Sequence, residues 1–247
     1  RWFPDKPARA NPGTPLFLDE AAVSTPTVAL SCAVRETLHM SDIVERMLRQ
    51  GMTALMTGDR QLVSEVSRLD DALDRLHEAI KLYVIRVTRD SLEEDQGLRA
   101  MEIISFSINL EHIGDIIDKN LMELADKKIK RKLRFSTEGA AELEAIYSQV
   151  FDSFRLTVNI FLSGKVELAR QLLEAKTELR QREIAANESH LARLRDGRPE
   201  SIETSSLHLD VLRDLKRIHS HICATAYPFL GAVGEVLYTR HRSPPAG

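Results

Sequence analysis

Residues 110–120 read Leu110-Glu111-His112-Ile113-Gly114-Asp115-Ile116-Ile117-Asp118-Lys119-Asn120, with two acids four positions apart inside an apolar helical pattern. That spacing places the carboxylates of Glu111 and Asp115 on one face of a helix. A later stretch, residues 215–222, keeps the apolar positions but has Lys216 and Ser220 in place of the two acids. The first stretch therefore offers a candidate cation site that the second lacks.

The composition favours a helical protein. Of the 247 residues, 43% are hydrophobic and only 5% aromatic, and long tracts rich in Leu, Ala, Glu, Arg and Ile predict helices rather than sheets. The net charge is -3, and no stripe of Lys and Arg is interleaved with aromatic residues. Nucleic acid is therefore not an expected partner.

The sequence predicts a chain that does not itself span a membrane. It has no run of eighteen apolar residues and no export signal, and its two cysteines, Cys32 and Cys223, form no paired motif. These features favour the cytosol, a reducing compartment. The chain starts at Arg1 rather than at methionine, which is typical of a piece of a longer protein and also of a product of tag cleavage.

Proline, glycine and capping residues divide the chain into six predicted helices after an extended, Pro-rich linker at residues 1–25. Apolar residues recur at helical spacing in each of them. The predicted helices cover residues 26–58, 59–91, 93–131, 136–163, 165–195 and 201–241. Residues 243–247 are predicted to form a flexible tail.

The two sets of three helices match at an offset of 106 residues, which indicates an internal duplication. Apolar residues recur at matching positions, and Gly58 and Gly164 end corresponding helices. We therefore predict an all-α fold with six long helices in two tandem three-helix bundles, at residues 26–135 and 136–242.

Three acids are candidate metal ligands. On a helical wheel Glu111, Asp115 and Asp118 flank the apolar stripe of the third helix without entering it. Carboxylates this close repel one another unless a cation compensates, so a divalent or ferric metal ion at this one site is a reasonable occupant. The alternative is a solvated acidic face paired with Lys or Arg of a neighbouring helix.

The third helix ends in a dense basic segment, which complements the negative end of the helix dipole. If the chain is held below a membrane, the same segment could contact a partner or anionic lipid headgroups. Its members are Lys127, Lys128, Lys130, Arg131, Lys132 and Arg134.

Other ligand-like patterns are weaker. Glu36 and His39 form a single Glu-x-x-His step, which di-iron bundles use twice, so a carboxylate-bridged di-metal enzyme is one alternative. Asp74 and His77 have the same spacing on the second helix, and a surface or packing role is favoured for them. Further along, Cys223 fits a small core residue, and the nearby His219 is expected near the bundle surface. Motifs of nucleotide chemistry, serine hydrolysis and zinc peptidases are absent from the sequence, so no enzyme is expected.

The segment Leu110-Glu111, followed by Ile113-Gly114-Asp115, on the third helix of a duplicated unit resembles the signature of PhoU-type phosphate regulators. Residues 15–19, 25–30 and 35–40 look more like the PhoU-like tail of bacterial sodium/phosphate cotransporters. Those transporters carry this domain after their membrane helices, on the cytoplasmic side.

The resemblance implies a non-enzymatic domain that controls sodium-dependent phosphate uptake from the cytoplasmic side of the inner membrane, tethered through residues before Arg1. The implied partners are the membrane-spanning domain of the same transporter and, in a homodimer, a second copy of the chain. A free-standing PhoU-type regulator of a separate transporter or sensor kinase is the other possibility. Glu111 and Asp115 match the family's metal-binding motif, Lys216 and Ser220 do not, and Asn120 comes one residue later than in many members.

Overall fold

In a computed structural model of the chain, residues 11–89 and 92–231 are described, and they form helices and no strand. The first bundle contains α1 (Pro26–Thr57), α2 (Arg60–Val87), α3 (Glu94–Ile116) and α4 (Met122–Lys130). The second contains α5 (Thr137–Ser163), α6 (Val166–Arg195), α7 (Pro199–Glu203), α8 (Ser205–Ala224) and α9 (Tyr227–Gly231). The predicted all-α fold of two tandem bundles is confirmed; the exact domain boundaries stay a prediction.

The duplicated glycines end α1 and α5 in the same way. Gly58 and Gly164 have φ angles of 77° and 63°, in the left-handed region that glycine enters at little cost. The N–H of Gly58 donates to the carbonyl of Ala54, and that of Gly164 to the carbonyl of Ile160, both at 2.8 Å. Each bundle therefore turns sharply between its first two long helices.

The third predicted helix contains a distortion that the apolar pattern does not reveal. Ile117–Leu121 forms a π-helical turn between α3 and α4, directly after the Glu111 to Asp115 motif. Such a turn holds one more residue than an α-helical turn, and π turns are frequent at functional sites.

The predicted sixth helix is interrupted at two places, each marked by a threonine. The Thr204 hydroxyl donates to the carbonyl of Glu200 at 2.6 Å, and the Thr225 hydroxyl donates to the carbonyl of Ile222 at 2.7 Å. Side-chain bonds of this kind compete with the helical ladder, and Pro228 has no N–H to continue it. Residues 232–241 and the predicted tail at 243–247 lie outside the described residues.

The second half of the predicted linker packs against the first bundle. The Glu36 carboxylate, 0% exposed, accepts hydrogen bonds from the N–H groups of Leu16 and Phe17 at 2.8 and 2.6 Å. The Tyr83 hydroxyl donates to the carbonyl of Asp19 at 2.7 Å. Residues 11–25 are thus held by α1 and α2, whereas residues 1–10 lie outside the described part.

The two bundles share one continuous hydrophobic core. The rings of Phe106 in α3 and Phe161 in α5 lie 4.4 Å apart between centroids, and the Arg99 guanidinium donates to the carbonyl of Phe161 at 3.1 Å. None of the helices in the described ranges is long and apolar enough to cross a membrane.

Candidate functional site

The candidate site is a seam of acids between α2 and α3, which run antiparallel. Residues three or four apart on each helix face the other helix across this seam. The α2 row is Asp70, Asp74 and His77, and the opposite row is Glu111 and Asp115 of α3 with Asp118 of the π turn.

Gly114 brings the two helices into close approach at this seam. A Cβ at this position would meet a Leu73 methyl carbon at 2.3 Å and Oδ1 of Asp70 at 3.1 Å. No side chain other than hydrogen fits unless the buried Leu73 side chain is displaced. Gly114 therefore permits the close packing that brings the acids of α2 beside those of α3.

Three carboxylates converge at the centre of the seam. One oxygen from each of Asp70, Asp74 and Asp115 lies within 4.8 Å of the others. Asp70 is 5% exposed, and its Oδ1 has no hydrogen-bond partner. Burial is the main cause that raises the Asp70 pKa to about 7, and the carboxylates of Asp118, Asp74 and Asp115 raise it further. Near neutral pH this carboxyl is therefore partly protonated, and a bound cation would favour its ionised form.

Lys119 provides partial compensation from the open side. Its ammonium forms a close ion pair with the Asp115 carboxylate, and this pairing is the main cause that raises the Lys119 pKa. Lys119 itself is exposed, so its charge is largely solvated and can move away at little cost. The buried oxygen of Asp70 remains without a partner in this arrangement.

The donor set fits a hard metal cation. A cation bound at the usual 2.0–2.6 Å from carboxylate oxygens accommodates oxygens up to about 5 Å apart, which the trio satisfies. Asp70, Asp74 and Asp115 would hold the ion, and Asp118 would add charge from the next turn. The bound cation would supply the charge compensation that Asp70 lacks.

Of the three predicted metal ligands, Glu111, Asp115 and Asp118, the structure places only one in the trio. Asp115 lies in the trio and Asp118 beside it, where burial is the main cause that raises its pKa and a hydrogen bond from Ser67 opposes that shift. Glu111 lies one turn away and pairs with Nδ1 of His112 at 2.8 Å. The assignment of all three as metal ligands stays a prediction.

The sequence interpretation missed Asp70 and gave Asp74 only a surface or packing role. A signal for both was present, because they have the same four-residue spacing as Glu111 and Asp115. Nothing in the α2 sequence alone shows that Asp70 and Asp74, rather than the other acids of α2, face α3.

The second bundle has basic residues where the first has acids. At the offset of 106, Lys176 and Arg180 stand where Asp70 and Asp74 stand in the first bundle. The Lys176 ammonium donates to the Tyr227 hydroxyl at 3.0 Å, and Lys216 pairs with Glu183 at 3.0 Å. The acids of the first seam are therefore not repeated at the corresponding positions of the second bundle.

The weaker sequence patterns have structural uses. Glu36 accepts the backbone bonds of the lead-in and contacts Nδ1 of His39 at 2.9 Å, so its carboxylate holds the chain in place. Cys223 is buried as expected. The surface position expected for His219 is wrong, because His219 is buried and hydrogen-bonded to the Ser153 hydroxyl at 3.0 Å.

Part of the chain matches a known protein family. Residues 37–124 match the PhoU domain family. The chain is 38% identical over 226 residues to the "Putative inorganic phosphate export protein YjbB" of Escherichia coli K12, with 92% of this chain and 41% of that protein covered. The match to the Salmonella typhimurium protein of the same name is also 38% identical and covers 42% of it. The chain thus spans about two fifths of the length of these curated relatives.

Two solved structures share the fold. The crystal structure of PhoU from Pseudomonas aeruginosa superposes with a TM-score of 0.75 at 22% identity, covering 83% of this chain and 97% of that chain. The phosphate transport system regulatory protein PhoU from Streptococcus pneumoniae superposes with a TM-score of 0.73 at 16% identity, covering 83% and 95%.

Proposed function

Because the chain contains a PhoU domain, we propose that it is the non-enzymatic regulatory part of a phosphate transporter, acting on the cytoplasmic side of the bacterial inner membrane. One observation carries the proposal: 92% of the chain aligns with a protein named for phosphate export, and only 41% of that protein is covered. The remaining part of such a protein would be the transporter. Our finer proposal is a sodium/phosphate cotransporter whose membrane-spanning part precedes Arg1.

The proposal applies to either direction of phosphate transport. The family resemblance seen in the sequence implies phosphate uptake, whereas the name of the relative refers to export. Regulation from the cytoplasmic side fits either direction, because a regulatory domain biases the conformations of its transporter rather than carrying the ion.

The seam between α2 and α3 gives this regulation a physical basis. A cation held by Asp70, Asp74 and Asp115 would cancel their repulsion and hold α2 against α3. Asp118 in the π turn is part of the same charged group, so the ion would also restrain the junction between α3 and α4. A ligand shifts a conformational equilibrium only as far as it binds one conformation more tightly than the other, so the cation would have to bind the conformation in which α2 and α3 are close together more tightly.

A free-standing regulator is the second candidate function. The chain is 27% identical over 191 residues to the "Phosphate-specific transport system accessory protein PhoU homolog" of Pseudomonas aeruginosa, and the match covers 74% of this chain and 75% of that protein. A free-standing regulator would act on a separate transporter or on a sensor kinase.

An epitope tag placed after Gly247 at the chromosomal locus separates the two candidates. The tethered form predicts a tagged polypeptide in the membrane fraction that is much larger than 27.9 kDa. A product of about that mass in the soluble fraction would refute the tether and favour the free-standing form. Phosphate flux measured with and without residues 26–231 then tests regulation, which would be refuted by unchanged flux.

Metal binding is tested on the purified chain by metal analysis and by titration with Mn²⁺. We expect the Asp70→Asn/Asp115→Asn variant to weaken Mn²⁺ binding by about 100-fold, because it removes two of three anionic ligands. Asp152→Asn, an exposed change on α5, is the matched control. Equal Mn²⁺ affinity in all three proteins would refute a metal site at this seam.

A further inference from the structure

The basic segment at the end of α4 divides into two groups. Lys128, Lys132 and Arg134 line a cavity of about 680 Å³, whereas Lys127, Lys130 and Arg131 do not. The cavity lies where the two bundles meet, between the end of α1 at Gly58 and the first turns of α5. Half of the basic segment therefore lines an open cavity at the junction of the two bundles.

Lys128 is an unusually placed cation. Its residue is 8% exposed, and its ammonium donates to the carbonyl of Met56 at 3.1 Å. Within the described ranges no carboxylate forms an ion pair with it. Burial, followed by the neighbouring charge of Arg134, lowers the Lys128 pKa. A buried cation without a counter-ion is costly, and an anion in the cavity would remove that cost.

Lys132 is held in the cavity wall by the helix ending. The N–H of Leu133 donates to the carbonyl of Lys128 at 3.0 Å, and Lys132 itself has a φ angle of 54°. Glycine usually occupies this left-handed position because other residues are strained there. The chain instead places a lysine at this point, next to Arg134.

The charge of the cavity is strongly positive. Three cations line it, Glu144 is the one carboxylate among the lining residues, and Glu144 is exposed to solvent. The excess is therefore two positive charges. The N-terminal end of α5 adds partial positive charge, whereas the C-terminal ends of α1 and α4 add partial negative charge, so the side chains account for the net positive charge.

We propose that this cavity binds a phosphoryl group, either as free inorganic phosphate or as the headgroup of an anionic phospholipid. Three cationic residues lining one cavity match the several oxygens and the multiple charge of a phosphoryl group. The volume leaves room for an attached glycerol moiety. The cavity could bind this group whether or not the chain regulates transport.

Two double variants of equal charge test the site. Lys132→Gln/Arg134→Gln removes two cations from the wall, and Lys127→Gln/Arg131→Gln removes two from the same helix end outside it. All four side chains are partly or fully exposed, so both variants should fold, as checked by circular dichroism. Inorganic [32P]phosphate in equilibrium dialysis and vesicles of one part phosphatidylglycerol to three parts phosphatidylcholine are the two probes.

We expect the unaltered chain to bind at least one probe at physiological ionic strength. The wall variant should lose at least about tenfold in affinity and the control less than about twofold, because only the wall residues contact the ligand. Saturable phosphate binding identifies the free ion, and binding to vesicles alone identifies the lipid headgroup. Binding of neither probe, or equal loss in both variants, would overturn the site, while phosphate flux in the intact protein would still test regulation separately.

Discussion

Replacement of Asp70 by asparagine should stabilise the metal-free protein at alkaline pH. Asp70 is buried, Oδ1 of its carboxyl has no partner, and three carboxylates surround it. A carboxyl whose pKa is higher in the folded than in the unfolded state binds more protons when folded. Between pH 3.8 and about 7 the free energy of unfolding therefore falls as pH rises.

The magnitude follows from the same shift. From 3.8 to about 7, at roughly 1.4 kcal/mol per pKa unit, the ionised carboxyl costs at most about 4 kcal/mol above pH 7. Asparagine is neutral and of similar shape, so we expect a gain of about 2 kcal/mol at pH 8 after allowing for its imperfect hydrogen bonds. At about 2–4 °C per kcal/mol for a chain of this size, the melting temperature should rise by about 5 °C.

Thermal and urea unfolding at pH 5 and pH 8, in the presence of a chelator, provide the measurement. The advantage of Asp70→Asn should be present at pH 8 and largely absent at pH 5, while Asp152→Asn shows no such change. Added Mn²⁺ should stabilise the unaltered protein at pH 8 but not Asp70→Asn. A variant that is less stable than the unaltered protein at both pH values would refute the interpretation of Asp70 as an uncompensated buried acid.

Three further changes test other parts of the structure. Gly114→Ala should lower the free energy of unfolding in urea by about 2 kcal/mol, since its methyl would overlap the Leu73 side chain at 2.3 Å; an unchanged urea midpoint would show that Leu73 can move aside without cost. Glu36→Ala leaves two backbone N–H groups without an acceptor, so it should cost about 2–4 kcal/mol and speed proteolysis of residues 11–18; resistance equal to that of the unaltered chain would contradict this role. In the unaltered protein, burial and then His190 lower the pKa of His208 to about 4, so the free energy of unfolding falls as pH drops from 6.5 toward 4. His208→Gln should reduce this dependence on pH. Urea unfolding at pH 4.5 and pH 7 measures it, and an equal change in the free energy of unfolding between the two pH values in both proteins would argue against this role.

The helices and their ends could be predicted because their causes are local. Gly58 and Gly164 stop helices through their own backbone freedom, and Asp59 begins α2 by accepting the N–H of Gln61 at 2.8 Å. The interruptions of the last helix were less visible. They depend on hydroxyl bonds of Thr204 and Thr225, and threonine also occurs inside uninterrupted helices.

The acids that α2 contributes to the candidate site could not be predicted from the local sequence pattern. The pair Asp70 and Asp74 has the spacing of a helix-face pair, but the neighbouring Asp71 is equally acidic. Which of them meets Asp115 depends on the rotation of α2 about its own axis. That rotation is fixed where Leu73 packs against Gly114, a contact between helices that no window along one helix contains.

The π turn changes which residues share a face of the helix after the acidic motif. In an α-helix a residue shares a face with the residue four positions later, and in a π turn with the residue five positions later. Asn120 follows Asp115 by five positions and lies within the turn at Ile117–Leu121. Its side-chain oxygen accepts a hydrogen bond from Arg217 of α8 at 3.4 Å. The π turn therefore makes contacts in two directions, with Asp118 beside Ser67 and Asp71 of α2 and Asn120 beside Arg217 of the second bundle.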